Sequence, residues 1–449
     1  MSEDKSLLLG RASIGSLLVQ YALPAVVAMI ASSLYNIIDS IFIGHKLGAL
    51  AISGLALTFP FMNFGAAIGT LVGVGAATLT SIKLGEKDYH SARMVLGNVV
   101  VLNFILGTSF ALLTIPFLRD ILYLFGASND TIDYAYDYMF IILFGNIFSH
   151  IYFGLNGLLR ASGHPQKAMF VTLFSVGLNA VLAALFVLVF EWGISGAAWA
   201  TFISQFLSLV WLILIFIKRN KALYFTKEIF KLKKKIVLQS TAIGLAPFLI
   251  NAAASIVVIV INTQLQKYGG DLAIGAYGII NRISFIFLMV VMGITQGMQP
   301  IVGYNYGAKL YGRTIEVFKK GTILATMVMS LAFIVSELVP TLVTKAFTTD
   351  GQLISLSSIG FRIVFLMFPI VGFQIVVGNF FQSIGKAKQA IFLSLTRQVI
   401  ILIPFLFILP QFLGLEGVWW SFPIADFIAT IIAFFFIIKE IKYLKTLIH

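Results

Sequence analysis

Along its 449 residues the chain alternates long apolar runs with short polar connections. Runs long enough to cross a bilayer as helices fall at 14–43, 50–82, 93–118, 131–159, 167–190, 194–217, 236–265, 272–304, 314–338, 354–382, 389–409 and 415–438. This pattern predicts an all-α polytopic membrane protein with twelve transmembrane helices. Several runs exceed the ~20 residues that a perpendicular span needs, which predicts tilt or kinks. Pro24, Pro60, Pro247, Pro300, Pro369 and Pro404 lie within or at the ends of runs, where proline bends a helix. Pro24 and Pro247 occupy equivalent places in the two halves of the chain and are candidate hinges.

Composition agrees with the pattern. The chain is 59% hydrophobic and 11% charged, against about 25% charged in a soluble domain. With no cysteine it has no disulfide framework, thiolate chemistry or cysteine metal site. The N-terminal MSEDKSLLLGRAS mixes both signs of charge and lacks a clear cleavage site, so the first run reads as a retained span and not a signal peptide. In a twelve-span arrangement one side carries Lys5, Arg11, Lys83, Lys87, Arg93, Arg160, Lys167, the connection KRNKALYFTKEIFKLKKK, Lys309, Arg313, Lys386 and Lys388. The other side carries Asp120, Asp130, Asp133, Glu191, Asp271, Glu337, Asp350 and Glu416. The excess of basic residues places both termini in the cytoplasm. The net charge of +13 therefore faces anionic lipid headgroups; no motif accompanies it that would recognise nucleic acid.

The two halves resemble each other at an offset of roughly 222 residues, the internal symmetry of many transporters. LGALAISGLAL (47–57) aligns with GDLAIGAYGII (270–280), and IKLGEKDY (82–89) with NYGAKLYG (305–312). LLRASGHPQKA (158–168) aligns with FFQSIGKAKQA (380–390), and GISGAAWA (193–200) with GLEGVWWS (414–421). Each match is weak alone; four in order at a nearly constant offset are not. Six spans per half give both repeats the same orientation. The expected domains are an N-terminal six-helix lobe (1–217), a basic cytoplasmic linker (218–235) and a C-terminal six-helix lobe (236–449), pseudo-symmetric around a central cleft. That arrangement suits alternating access by rocking.

Few full charges interrupt the spans. Asp39 stands in the first, within SSLYNIIDSIFIG. A carboxylate in hydrocarbon costs several kcal/mol, so an intramembrane acid points to function by default. Ser32, Asn36 and Asp39 share one helix face, with Ser40 beside them. The face reads as a cation-binding or protonatable site; the alternative is an acid wetted at the outer end of a long helix. Asn179 in the fifth span and Thr201 in the sixth offer neutral oxygens suited to a hard monovalent cation, although their spacing alone fits interhelical hydrogen bonding of about 1 kcal/mol better. In the second half, Arg397 and Asp426 lie on neighbouring spans with opposite charge, and structural pairing and proton-linked function are both open to them; with Arg282 they form a possible polar site in the C-terminal lobe. His150 reads as a packed or cavity-lining histidine, and Gly65, Gly69 and Gly73 as a packing stripe.

YNIIDSIFIG, LGALAISGLALTFP and GVGAATLTSIKLGEKD together resemble the opening of the multidrug and toxic compound extrusion (MATE) transporters. The likeness covers essentially the whole chain and is most specific over residues 35–88. Within the family the chain looks similar to bacterial exporters related to the DNA-damage-inducible protein F group. The resemblance implies a secondary active antiporter in the bacterial cytoplasmic membrane, exporting small organic, often cationic, compounds in exchange for H⁺ or Na⁺, without an enzymatic activity or a cofactor. It implies that Asp39 is the coupling acid, that Pro24 bends the first helix, and that Asn179 and Thr201 complete the ion site. The family pattern has a second aspartate on the fifth helix, where this chain has Ala183. That departure implies weaker Na⁺ binding or coupling to H⁺ alone. Membrane lipids and drug-like substrates are the expected partners, and a monomer the expected state. The competing expectation is a flippase for lipid or polysaccharide precursors, which would line its cavity with cationic residues; Arg282 and Arg397 are the candidates.

Overall fold

The computed structural model describes residues 5–218 and 222–448, apart from the side chains of 5, 34–39, 49 and 227. Every regular element among them is helical. The spans are α1 (Ile14–Leu47), α2 (Ala49–Gly85), α3 (Tyr89–Thr114), α4 (Ile132–Ala161), α5 (Pro165–Ala183) and α6 (Gly193–Ile217). A continuous tract Lys234–Gly307 breaks at Gly270 into α7 and α8, and α9 is Tyr311–Leu338. α10 is the pair Gly351–Phe365 and Phe368–Ser383, bent by 51°. Residues 387–446 break at Gly414 into α11 and α12. Nine described tracts are long and apolar enough to cross a membrane, and the bent pair makes a tenth. Two of these tracts hold two spans each, which gives the expected twelve.

The repeat is written into the turns. Apart from Gly126 and Glu191, backbone in the left-handed region occurs in mated pairs among the described residues: Gly48 and Gly270 (φ 82 and 65), Lys87 and Lys309 (φ 61 and 59), Gly163 and Gly385 (φ 92 and 77), and Gly193 and Gly414 (φ 63 and 58). The helix ends there share one hydrogen-bond pattern. After α2, Asp88 N donates to Lys83 O (2.9 Å) and Lys87 N to Leu84 O (3.1 Å); after α8, Leu310 N donates to Asn305 O (2.8 Å) and Lys309 N to Tyr306 O (3.0 Å). This is the Schellman closure of a helix by a left-handed residue. Gly48 and Gly270 make the sharp break between the first and second helix of each half, a conformation that a side chain would strain.

Contacts divide the chain into two compact units. The first holds the residues up to Ala12 and Val27–Phe248; the second holds Ser13–Val26 and Leu249–His449. Two segments thus cross the boundary suggested by the repeat. The N-terminal part of α1 belongs with the second unit, and the N-terminal part of α7 with the first.

In the first unit α4 is central, with 67% of its apolar window buried; it packs on α2, α3, α5 and α6. The glycine stripe of α2 lies against it: a Cβ on Gly73 would stand 3.2 Å from Gly154 Cα, and one on Gly69 would stand 2.9 Å from His150 Cδ2. The N-terminal part of α7 meets α2 backbone to backbone. A Cβ on Gly75 would lie 1.8 Å from Ser240 O, and one on Gly244 would lie 1.7 Å from Leu71 O. The connection into α7 is seated on α3. Asn98 Nδ2 donates to Ile229 O (3.3 Å) and Lys231 O (3.2 Å), and Lys233 N donates to Asn98 Oδ1 (3.0 Å). Arg93 donates to Tyr224 Oη at 2.6 Å and covers its ring.

The second unit repeats the close contact with the roles exchanged. The N-terminal part of α1 meets α8 where a Cβ on Gly293 would lie 2.6 Å from Val26 Cα, and one on Gly297 would lie 2.5 Å from Ala22 Cα. Elsewhere α10 packs on α9 and α12, and α11 on α12.

Substituting Gly244 or Gly75 by Ala should therefore destabilise the protein by about 1–3 kcal/mol, the usual cost of overpacking. Gly177→Ala, on α5 with nothing within 4 Å of its added Cβ, should leave stability unchanged or slightly raised. Thermal unfolding in detergent checks this; equal midpoints for Gly244→Ala and Gly177→Ala would dismiss the close contact.

Candidate ion-coupling site

Asn36 and Asp39 lie on the helical backbone of α1, and their side chains lie outside the described residues. The turns around them are anchored on both sides. Ser33 Oγ donates to Ile30 O at 2.7 Å. Phe42, one turn after Asp39, packs on a cluster of Ala183 and Phe186 from α5 and its continuation and Ala200 from α6. Beyond it, Lys46 pairs with Glu191 in the α5–α6 connection at 2.7 Å. The hydrogen bond and charge of Lys46 hold the Glu191 carboxyl below its usual range. The C-terminal part of α1 is thus laid against the seam between α5 and α6.

That seam is polar. Asn179 is fully buried and donates from Nδ2 to Thr201 Oγ1 at 3.4 Å, while its Oδ1 is buried with no partner among the described residues. Ser175 lies one turn before Asn179 and is 4% exposed; Ser204 is fully buried and donates to Thr201 O at 2.9 Å. A buried carbonyl oxygen without a donor is costly unless something else supplies one or a cation replaces it. One turn further, Ala183 is fully buried among apolar neighbours. The seam brings together two of the sequence-derived candidates, Asn179 and Thr201, and offers neutral oxygens only. Pro24 lies inside α1, two residues before the chain passes from the second unit to the first.

In the second unit Arg397 and Asp426 do meet: Arg397 Nε donates to Asp426 Oδ1 across the α11–α12 seam. Arg282, on α8, is exposed and makes no hydrogen bond or ion pair among the described residues. Sequence reasoning missed another buried pair. Lys386, in the α10–α11 turn, reaches Glu440 near the end of α12 at 2.5 Å, with the Glu440 side chain only 7% exposed. Its signal was the lone acid among the lysines of the C-terminal segment.

Twelve helices in two repeated halves, with buried polar seams between helix pairs, define a transporter-type membrane protein. The sequence model of the MatE family matches the chain twice, over residues 24–185 and 247–408; position 247 is 223 residues on from 24, as the internal repeat requires. The chain belongs to the MATE family. It is 28% identical to the multidrug export protein MepA of Staphylococcus haemolyticus, over 97% of this chain and 96% of that one. It is also 28% identical to MepA of Staphylococcus aureus, over 93% and 92%. Among solved structures, an outward-facing multidrug resistance MATE transporter superposes with a TM-score of 0.92 at 23% identity, covering 99% of this chain and 100% of that one. A MATE transporter in its bent conformation gives 0.93 at 24% identity, covering 99% of each.

The Arg397–Asp426 pair also makes a stability prediction. Arg397→Ala leaves a buried carboxylate uncompensated and should cost about 3–5 kcal/mol, whereas joint replacement by Met and Leu should be near neutral. Thermal unfolding of the two variants in one detergent tests it; a native-like midpoint for Arg397→Ala would show that the pair holds nothing together.

Proposed function

We propose that the chain is a secondary active exporter of small organic, often cationic, compounds, driven by inward movement of H⁺ or Na⁺ through Asp39. The observation that carries this reading is the placement of α1. Phe42 and Lys46 tie the turns after Asp39 to α5, α6 and their connection, beside a seam whose Asn179 oxygen is buried without a partner. The relatives, multidrug export proteins, support the substrate class. Cation or proton binding would neutralise Asp39 in one state and its discharge would favour the other, so that substrate and ion bias one bistable protein. The two repeated units would rock about a central cleft, with Pro24 as a point of bending in α1.

The ion is more readily H⁺ than Na⁺. A hard cation needs several oxygens and gains from a second carboxylate, yet position 183 is a buried alanine in apolar surroundings and Asn179 and Thr201 are neutral. The setting is a bacterial cytoplasmic membrane with both termini inside, and the protein acts as a monomer. The flippase alternative needs cationic residues free to hold phosphates. Arg397 is already neutralised by Asp426, which leaves Arg282 alone and favours the exporter.

Efflux of a fluorescent organic cation from loaded liposomes tests the proposal, with pH and Na⁺ gradients imposed separately. The native protein should respond to the pH gradient, and Asp39→Asn should fall to the leak rate while keeping its fold. Normal efflux by Asp39→Asn would reduce Asp39 to a wetted acid, and no native efflux under either gradient would return the flippase to first place.

A further inference from the structure

The second unit carries its charge where the first carries its neutral seam. At the repeat offset of 222 residues for this helix Arg397 falls on Ser175, and at the offset of 221 that pairs Gly193 with Gly414 Asp426 falls on Gln205, so α11–α12 is the mate of α5–α6. Ser175 is buried, Gln205 is half-buried, and neither is charged. Asp426 is 1% exposed, and its carboxylate is held through Oδ1 alone. Its Oδ2 is buried and has no partner among the described residues.

Arg397 stands in a π-helical stretch, Thr396–Leu402, a widening of the helix that is often found at functional sites. Its side chain is 24% exposed, and beyond the Nε bond its guanidinium makes no other hydrogen bond among the described residues. A guanidinium edge open to hydrocarbon would be costly, so we take the open side of Arg397 to face water. Among the described residues the other charged groups on helices packed against α12 are engaged elsewhere or sit at helix ends, except Arg282 on α8, which is exposed. Arg362 donates to Glu337 O, Lys386 pairs with Glu440, Lys320 with Glu316, and Arg313 donates to Asn305, while Lys319 and Lys388 are exposed near helix starts. Among the described residues only Arg397 faces Asp426 as a charged group, with the Tyr277 phenol of α8 beyond it, stacked on Phe422 at 6.0 Å.

A pair kept only for packing would satisfy both carboxylate oxygens, and apolar side chains of the same size would serve as well. This one keeps an oxygen that lacks a donor beside a hydrated cation. We propose that Asp426 is a second proton-binding site, with Arg397 as its resident counter-cation. A proton from hydronium on the hydrated side of Arg397 adds to Oδ2 and leaves water behind. The carboxyl becomes neutral, the ion pair breaks, and the guanidinium keeps its charge. The seam then gains one positive charge, which disfavours an organic cation held by the same protein. That last step rests on the proposed antiport; the protonation does not.

Infrared difference spectra of the native protein in liposomes, acidic minus neutral, test the protonation directly. The carbonyl band of a protonated buried carboxyl should appear in the native protein. It should be lost in Asp426→Asn and in the double variant Arg397→Gln/Asp426→Asn, which leaves no unpaired buried charge and so guards against misfolding of the single one. An unchanged band in Asp426→Asn overturns the proposal. A second arm counts protons released when tetraphenylphosphonium binds: Asp426→Asn should release about one fewer per cation than native, and equal release overturns the link to export. If the native protein neither binds nor moves the cation, the antiport reading fails, while the infrared band still decides Asp426.

Discussion

Hydrocarbon offers a backbone no water to bond with, and it gives apolar side chains no reason to prefer one another over lipid. The first fact makes every regular element a helix. The second removes the usual driving force for packing helices together, so association depends on how closely backbones approach. Gly75, Gly244, Gly293 and Gly297 are where this chain meets that demand, each at a distance that excludes even a methyl group. Between α2 and α4 the approach is a little wider, with Gly73 against the Gly154 backbone and Gly69 against the His150 ring.

These contacts also decide which segment belongs to which unit. Gly244 holds the start of α7 on α2, and Gly293 and Gly297 hold the start of α1 on α8. Both helices then leave the unit they began in, after Val26 and after Phe248. Pro24 and Pro247 stand within two residues of those points. A proline lacks the N–H that would close the helix there, so each helix is weakest to bending where its allegiance changes. The connection before α7 is fixed by Asn98 to α3, so the start of α7 is held at both ends by the first unit.

The spans and the repeat were legible in the sequence because length, hydropathy and turn residues are local properties. Lys87 and Lys309, or Gly163 and Gly385, can be matched by eye, and each pair does adopt the same turn. Arg397 and Asp426 were legible as opposite charges on neighbouring spans. The exchange of half-helices was not, since an apolar run carries no record of the partner it packs against, and Gly75 and Gly244 look like any other membrane glycines. The seat of the basic linker on α3 depends on one asparagine, 131 residues from Ile229. For the candidate site, the sequence supplied Asp39, Asn179 and Thr201, but the anchors that lay α1 on the seam, Phe42 and the Lys46–Glu191 pair, are contacts between residues far apart in the chain.

The two halves are alike in backbone and unlike in charge, and burial explains how both survive. In the first unit the α5–α6 seam is neutral and needs no counter-charge. In the second the acid is part of the seam itself and must carry its own cation, because a lone Asp426 at 1% exposure would cost far more than the fold can spare. Ala183 fits the same logic: a second carboxylate on α5 would sit fully buried among Phe42, Phe186 and Ala200, with no arginine on the neighbouring α6 to neutralise it. Without that acid the α5–α6 seam of the first unit stays neutral, with Asn179, Thr201 and the serines beside them as its polar groups.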